Sequence, residues 1–179
     1  MEAVQVDALT QYLDTNRDRF VEDLKQALRI PSVSAKSEHK PDVERCARHI
    51  ADHLKSIGMT RAEVVPTAGH PVVYAEWLGA PGTPTALIYG HYDVQPVEPL
   101  ELWKVPPFEP VVKDGKLCAR GAADDKGQVY MHIKAIEAHL KVNGKLPINL
   151  KLVSEGEEEV GSDHLAQFLK ERRSQLDAD

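Results

Sequence analysis

Thr85-Ala-Leu-Ile-Tyr-Gly-His-Tyr-Asp-Val94 is the stretch on which the reading of this chain turns. Residues Thr85 to Tyr89 are apolar or β-prone, as a short buried strand requires. Gly90 follows, and then His91 and Asp93, two positions apart. Alternate side chains of a strand share a face. A histidine and a carboxylate at that spacing on a strand mouth therefore suit metal binding or catalysis before they suit packing.

Upstream of it, Gly79-Ala-Pro-Gly-Thr-Pro84 is a turn-rich loop, and Ala62 to Pro66 and Val72 to Leu78 read as strands. Before these, Leu9, Leu13, Phe20, Leu24 and Leu28 recur at helical spacing, which predicts one amphipathic helix capped by Asp7 and ended by Ile30-Pro-Ser-Val-Ser34. Pro41 suits a first helical turn. Val43, Cys46, Ile50, Leu54 and Ile57 form the next apolar stripe, and Gly58 is placed to stop it.

Downstream, the stretch Pro96 to Pro110 reads as a long, proline-rich loop holding Trp103 and Phe108, and long loops in compact domains are more often functional than idle. Asp114-Gly115 predicts a hairpin between Val111-Val112 and Lys116 to Cys118. A helix carries Val129, Ile133, Ile136 and Leu140 on one face and closes at Asn143-Gly144. Alternation around Ile148, Leu150 and Leu152 predicts a strand, and Ser162 is placed to cap a last helix with Leu165, Phe168 and Leu169. Strands alternating with helices predict an α/β fold with a mixed, mostly parallel sheet flanked by helices.

Composition bounds the function. The 179 residues are 42% hydrophobic and 28% charged, enough for one domain with a core. The net charge of −6 argues against nucleic acid or an anionic membrane as partner. No secretory signal and no apolar run of membrane-spanning length is visible. Cys46 and Cys118 make no disulfide framework, so a reducing cytoplasmic setting is expected.

Three polar clusters fall at the carboxyl ends of expected strands: His91/Asp93, Asp124/Asp125 and Glu157/Glu158/Glu159. Ligand sites of open α/β sheets lie there. Imidazole plus carboxylates suits zinc, or manganese and cobalt, and several carboxylates leave room for two ions with one bridging them. Each cluster alone has a plainer reading: a satisfied histidine, a helix-capping aspartate pair, a solvated acidic turn. Their joint placement after strands favours a site. His49 and His53 lack the intervening glutamate of a zinc-protease helix and read as flanking an apolar stripe. His132 and His139 read as solvated; His39, His70 and His164 have no evident partner. Neither a phosphate loop nor a Gly-x-Ser-x-Gly elbow is present, and Cys118 reads as a small buried hydrophobe.

Gly90-His-Tyr-Asp-Val94, Trp103 to Pro110, Asp114-Gly-Lys-Leu, Arg120-Gly-Ala-Ala-Asp-Asp-Lys-Gly127 and Glu157-Glu-Glu-Val-Gly-Ser162 together resemble the carnosinase-like di-zinc dipeptidases, of the superfamily with acetylornithine deacetylase, succinyl-diaminopimelate desuccinylase and carboxypeptidase G. The resemblance implies a zinc-peptidase-like catalytic domain, with His91 on the first metal, Asp93 orienting its imidazole, Asp124 bridging, Glu159 on the second metal and Glu158 as general base. It also implies a cis Asp124–Asp125 peptide. Three consecutive glutamates leave their register open on chemistry alone; the family spacing Glu-Glu-x-Gly-Ser selects Glu158 and Glu159. Cys118-Ala119 stands where an aromatic-Gly pair is commoner.

Set against that family, residues 1–179 are expected to be the N-terminal portion of the catalytic domain, lacking its C-terminal part and a lid or dimerisation domain. The parent is expected to be a homodimer through that domain, acting on dipeptides or N-acyl amino acids. The chain alone is expected to be weakly active or inactive, and to self-associate through an uncovered sheet edge. A deacylase or desuccinylase of N-acyl amino acids, and a non-catalytic binding fragment, are the alternative readings.

Overall fold

The computed structural model describes residues 3–179. It begins with two helices, not one: α1 (Ala3–Thr15) and α2 (Arg17–Leu28). Asn16 separates them at φ −101°, ψ 8°. Its side-chain amide donates to the Tyr12 carbonyl at 2.8 Å, and its backbone N–H reaches the same oxygen at 3.1 Å. The backbone bond is the ordinary helical one, and the side-chain amide competes with it for the same carbonyl; an apolar spacing that runs through the break hides it. Asp7 is helical within α1 rather than its cap.

Helix α3 (Lys40–Ile57) follows expectation, with Pro41 in its first turn and Gly58 at its end. Its buried stripe is Val43, Cys46, Ala47, Ile50, Ala51, Leu54 and Ile57. Strands β1 (Arg61–Val65) and β2 (Val72–Trp77) pair antiparallel, and β3 (Thr85–His91) carries the decisive stretch. The hairpin β4 (Val111–Lys113) and β5 (Lys116–Cys118) turns at Asp114 and Gly115, whose φ values of 52° and 72° give the two left-handed residues such a turn needs. Helix α4 (Lys126–Asn143) leads to β6 (Asn149–Glu155), and α5 (Leu165–Glu171) and α6 (Arg173–Leu176) close the chain.

The main sheet has the order β1-β2-β6-β3. It is mixed and helix-flanked, as expected, although of its three pairings only β3 with β6 is parallel, the two strands joined by the α4 crossover. Apolar side chains of α3 and α4 meet one sheet face in a core that includes Ile50, Leu54, Val73, Ala75, Ile133 and Leu152. On the other face Phe168 and Leu176 pack over Val72, Tyr74 and Val153. Ser162 does not cap α5, which starts after His164; Ser162 instead adopts φ 55°.

Two features bear on the site. The edge strand β3 leaves Leu87 and Tyr89 exposed, and its first residue, Thr85, exchanges hydrogen bonds with Asp179 at 2.9 and 3.0 Å. Lys126, at the start of α4, is buried and donates to the carbonyls of Ala27 and Ile30 at 3.0 and 2.7 Å. It thereby adds a second donor to two carbonyls that already accept backbone N–H groups, and ties the N-terminus of α4 to the end of α2.

Candidate metal centre

His91 is the last residue of β3 and sits opposite Glu155, the last residue of β6, in the parallel pair. The imidazole is held from both sides. Nδ1 lies 3.2 Å from the Asp93 carbonyl oxygen and 3.4 Å from Asp93 Oδ1; Nε2 lies 3.1 Å from Asp124 Oδ1 and 3.9 Å from Glu158 Oε2. One ligand atom from each of His91, Glu158 and Glu159 falls within 4.8 Å of the others.

Asp93 is fully buried, and its carboxylate is the hub. Oδ1 accepts the Glu158 backbone N–H at 3.3 Å and Oδ2 that of Glu159 at 3.1 Å. A single side chain thus fixes both the histidine ring and the short turn Glu158–Val160. The plainer reading of the aspartate pair, helix capping, does not hold. Asp125 is at the N-cap position of α4 but makes no side-chain cap bond; its Oδ2 accepts the His91 backbone N–H at 3.1 Å. That approach needs Gly90, where a Cβ would come within 2.8 Å of the same oxygen. The Asp124–Asp125 peptide is cis.

The three glutamates divide. Glu157 is buried and turned away from the cluster: it accepts the His70 N–H at 3.0 Å and contacts His164 Nδ1 at 3.0 Å. His70 and His164 thus have partners that sequence spacing did not reveal, as does His39, 2.8 Å from Asp42. Glu158 and Glu159 are the pair that faces His91. The side chains of Asp124 and Glu158, 74% and 44% exposed, leave the cluster open to solvent. Gln95, which the sequence gave no reason to single out, donates its amide to Glu159 Oε2 at 2.7 Å. Beyond it the Pro96–Pro110 loop is pinned by Trp103 Nε1 on the Val97 carbonyl at 2.8 Å and by Arg120 on that of Pro96 at 3.0 Å.

Burial alone would lower the His91 pKa, but Asp93, then Asp124 and Asp125, outweigh it and hold it up at about 9. A divalent ion that took His91 as a ligand would have to displace that proton. Uptake of zinc or cobalt is therefore expected to tighten roughly tenfold per pH unit on going from pH 6 toward 9, and to level off above it. Titration at several pH values checks this; a pH-independent affinity would show that His91 is not a ligand.

A second group, Asp23, His53 and Glu137, also gathers ligand atoms. Here the cation is the protein's own. Lys134 Nζ donates to Asp23 Oδ2 at 2.6 Å, His53 Nε2 at 2.7 Å and Glu137 Oε2 at 2.9 Å, which uses all three of its protons. Burial, helped by Lys134, pushes the His53 pKa down to about 4, so its ring is the neutral acceptor. His53 is therefore more than a residue beside an apolar stripe.

Peptidase family M20/M25/M40 matches residues 87–179, just over half of the chain and all of the cluster. The chain belongs to that family. The Cys-Gly metallodipeptidase of Candida albicans is 34% identical over 175 residues, covering 90% of this chain and 36% of that protein. The Beta-Ala-His dipeptidase of Rattus norvegicus is 32% identical over 182 residues, covering 94% and 37%. The crystal structure of human carnosine dipeptidase 1 superposes with a TM-score of 0.89 at 32% identity, over 98% of this chain and 39% of that one. This M20/M25/M40 chain thus spans 36–37% of the length of those two curated relatives. Among its described residues no helix is long and apolar enough to cross a membrane.

Proposed function

We propose that this chain supplies one wall of a two-metal centre that hydrolyses the peptide bond of dipeptides. The observation that supports it most is the convergence of His91, Glu158 and Glu159 within 4.8 Å, with Asp124 against the same imidazole nitrogen. One imidazole and several carboxylates fit divalent ions of the zinc, manganese or cobalt kind, and the buried Asp93 beneath the cluster adds negative potential that favours a cation.

In this reading His91 would hold the first ion and Glu159 the second, with Asp124 as a ligand available to both. Asp93 orients His91 by the contact already described, and fixes the two glutamates through their backbone N–H groups. Two divalent ions, zinc by preference, would lower the pKa of water and polarise the scissile carbonyl. Glu158 accepts the proton of the attacking water and returns it to the leaving amine. Its half-exposed position beside the buried hub suits that shuttling role.

The domain reading belongs to the same proposal: residues 1–179 form an N-terminal portion of a catalytic domain, and a lid or dimerisation domain lies in further sequence. The short span of the relatives covered supports it. A cytoplasmic location is supported by two free cysteines, one of them buried.

Metal content and turnover of Cys-Gly and β-Ala-His, the dipeptides named for the relatives, test the reading. The 179-residue chain is expected to take up metal weakly and to turn over either dipeptide slowly. Robust hydrolysis by this chain would overturn the incompleteness, and N-acyl amino acids cleaved in preference to dipeptides would overturn the substrate class.

A further inference from the structure

We infer that Glu155 and Ser162 form a positioning brace that sets where Glu158 and Glu159 stand relative to His91; the inference rests on the metal-centre reading above. Residues 157–162 form an arch between the ends of two strands. One foot is tied to Asp93, beyond β3, through the backbone N–H groups of Glu158 and Glu159. The other foot is Ser162, whose hydroxyl donates to Glu155 Oε1 at 2.9 Å.

Glu155 is itself immobilised. It is 1% exposed, its Oε1 also accepts the Tyr89 hydroxyl at 2.5 Å, and its carbonyl accepts the Tyr92 N–H at 2.9 Å. It also lies directly across the β3–β6 pair from His91. The same rung therefore carries the imidazole on one strand and the anchor of the glutamate arch on the other. Glu155 touches no reacting group in this arrangement. It acts through Ser162, and Ser162 acts through the backbone of the arch.

The brace also accounts for a local oddity. Gly161 and Ser162 both have positive φ, 103° and 55°. A left-handed conformation is disfavoured for a residue with a Cβ, and the Ser162–Glu155 bond supplies a reason for a serine to be held there. Ser162→Gly separates the two roles of this position. It removes the hydroxyl while making the backbone conformation easier, so it is not expected to unfold the chain.

Cobalt titration of the chain, followed by its visible d–d absorption, is the test. Ser162→Gly is expected to weaken cobalt binding about tenfold and to alter the band shape, with thermal stability unchanged or raised; outer contacts of metal ligands carry effects of about 10- to 100-fold. Glu155→Ala is expected to weaken it at least as much, and Glu155→Gln, which keeps an acceptor oxygen, to recover part of the loss. Ser162→Gly and Glu155→Ala variants that bind cobalt as the parent does, with the same spectrum, overturn the brace and leave the metal centre standing. A parent chain that takes up no cobalt at all overturns both.

Discussion

Glu158→Gln, introduced into the polypeptide that carries the activity, is expected to cut dipeptide hydrolysis by about 10²- to 10⁴-fold, the usual contribution of a positioned general base. The exchange keeps the size and shape of the side chain and removes its ability to take a proton. The position is half exposed, and the contact that places it is made by its backbone N–H on Asp93, which glutamine retains. Folding should therefore be nearly unaffected, since exposed substitutions away from such contacts stay within about 0.5 kcal/mol. The loss should fall on kcat rather than KM, with metal content unchanged, as rates and elemental analysis on one preparation would show. Glu157→Gln is the informative companion. Its carboxylate is engaged by His70 and His164, away from the cluster, so its replacement should act on stability. Rates that collapse in Glu157→Gln and survive in Glu158→Gln would reverse the assignment of the base.

Lys134→Met is expected to destabilise the fold by about 3–5 kcal/mol, the usual effect of removing one partner from a buried ion pair. Lys134 is 6% exposed and Glu137 3%. With the ammonium gone, Glu137 keeps Arg19 at 2.6 Å and Asp23 keeps it at 3.3 Å, but both lose their shortest or buried lysine contact and the His53 nitrogen loses its donor. The cluster joins α2, α3 and α4, so the loss is not local. Urea unfolding measures it; a shift below about 1 kcal/mol would mean that water replaces the ammonium without strain. Against a typical total of 5–15 kcal/mol the expected loss is large.

The same cluster fixes a direction with pH. An unfolded His53 takes up a proton near 6.5, the native one only near 4. Its native pKa is depressed, so the unfolded state binds more protons between those values and stability falls as pH drops through that window. Glu137 acts in the same sense. Burial alone would raise its pKa, but Arg19 and Lys134 together leave it lowered, and the stability it contributes is lost as acid protonates it. His91 works oppositely: its native pKa is raised, so its contribution is present below 6.5 and fades as pH rises through about 9.

Much of the architecture was legible because single residues announce it. Pro41 and Gly58 bracket α3, and Asp114-Gly115 places the hairpin. What was not legible follows from signals that do not distinguish the alternatives. Period-two alternation is the same in parallel and antiparallel strands, so the antiparallel pairing of β2 with β6 left no trace. The α1–α2 break depends on one asparagine bonding its own preceding turn. At the site, the spacing of His91 and Asp93 and the two acidic clusters pointed to side chains that the fold brings together. The division among the three glutamates could not be read from their order, because it is made by His70 and His164, distant in the chain. The Lys134 cluster was invisible for the same reason: its members lie on three helices, and each alone resembles a surface charge.

The His91–Glu155 rung turns the candidate centre into a gauge of strand alignment. Because side chains alternate along a strand, sliding β6 by one residue against β3 would turn Glu155 to the opposite sheet face and carry the glutamate arch about 3.3 Å along the strand direction. Secondary structure content would hardly change, yet the ligand atoms would no longer meet. Cation affinity can therefore distinguish a correctly aligned chain from a misaligned but folded one, which bulk spectroscopic measures of folding would score alike.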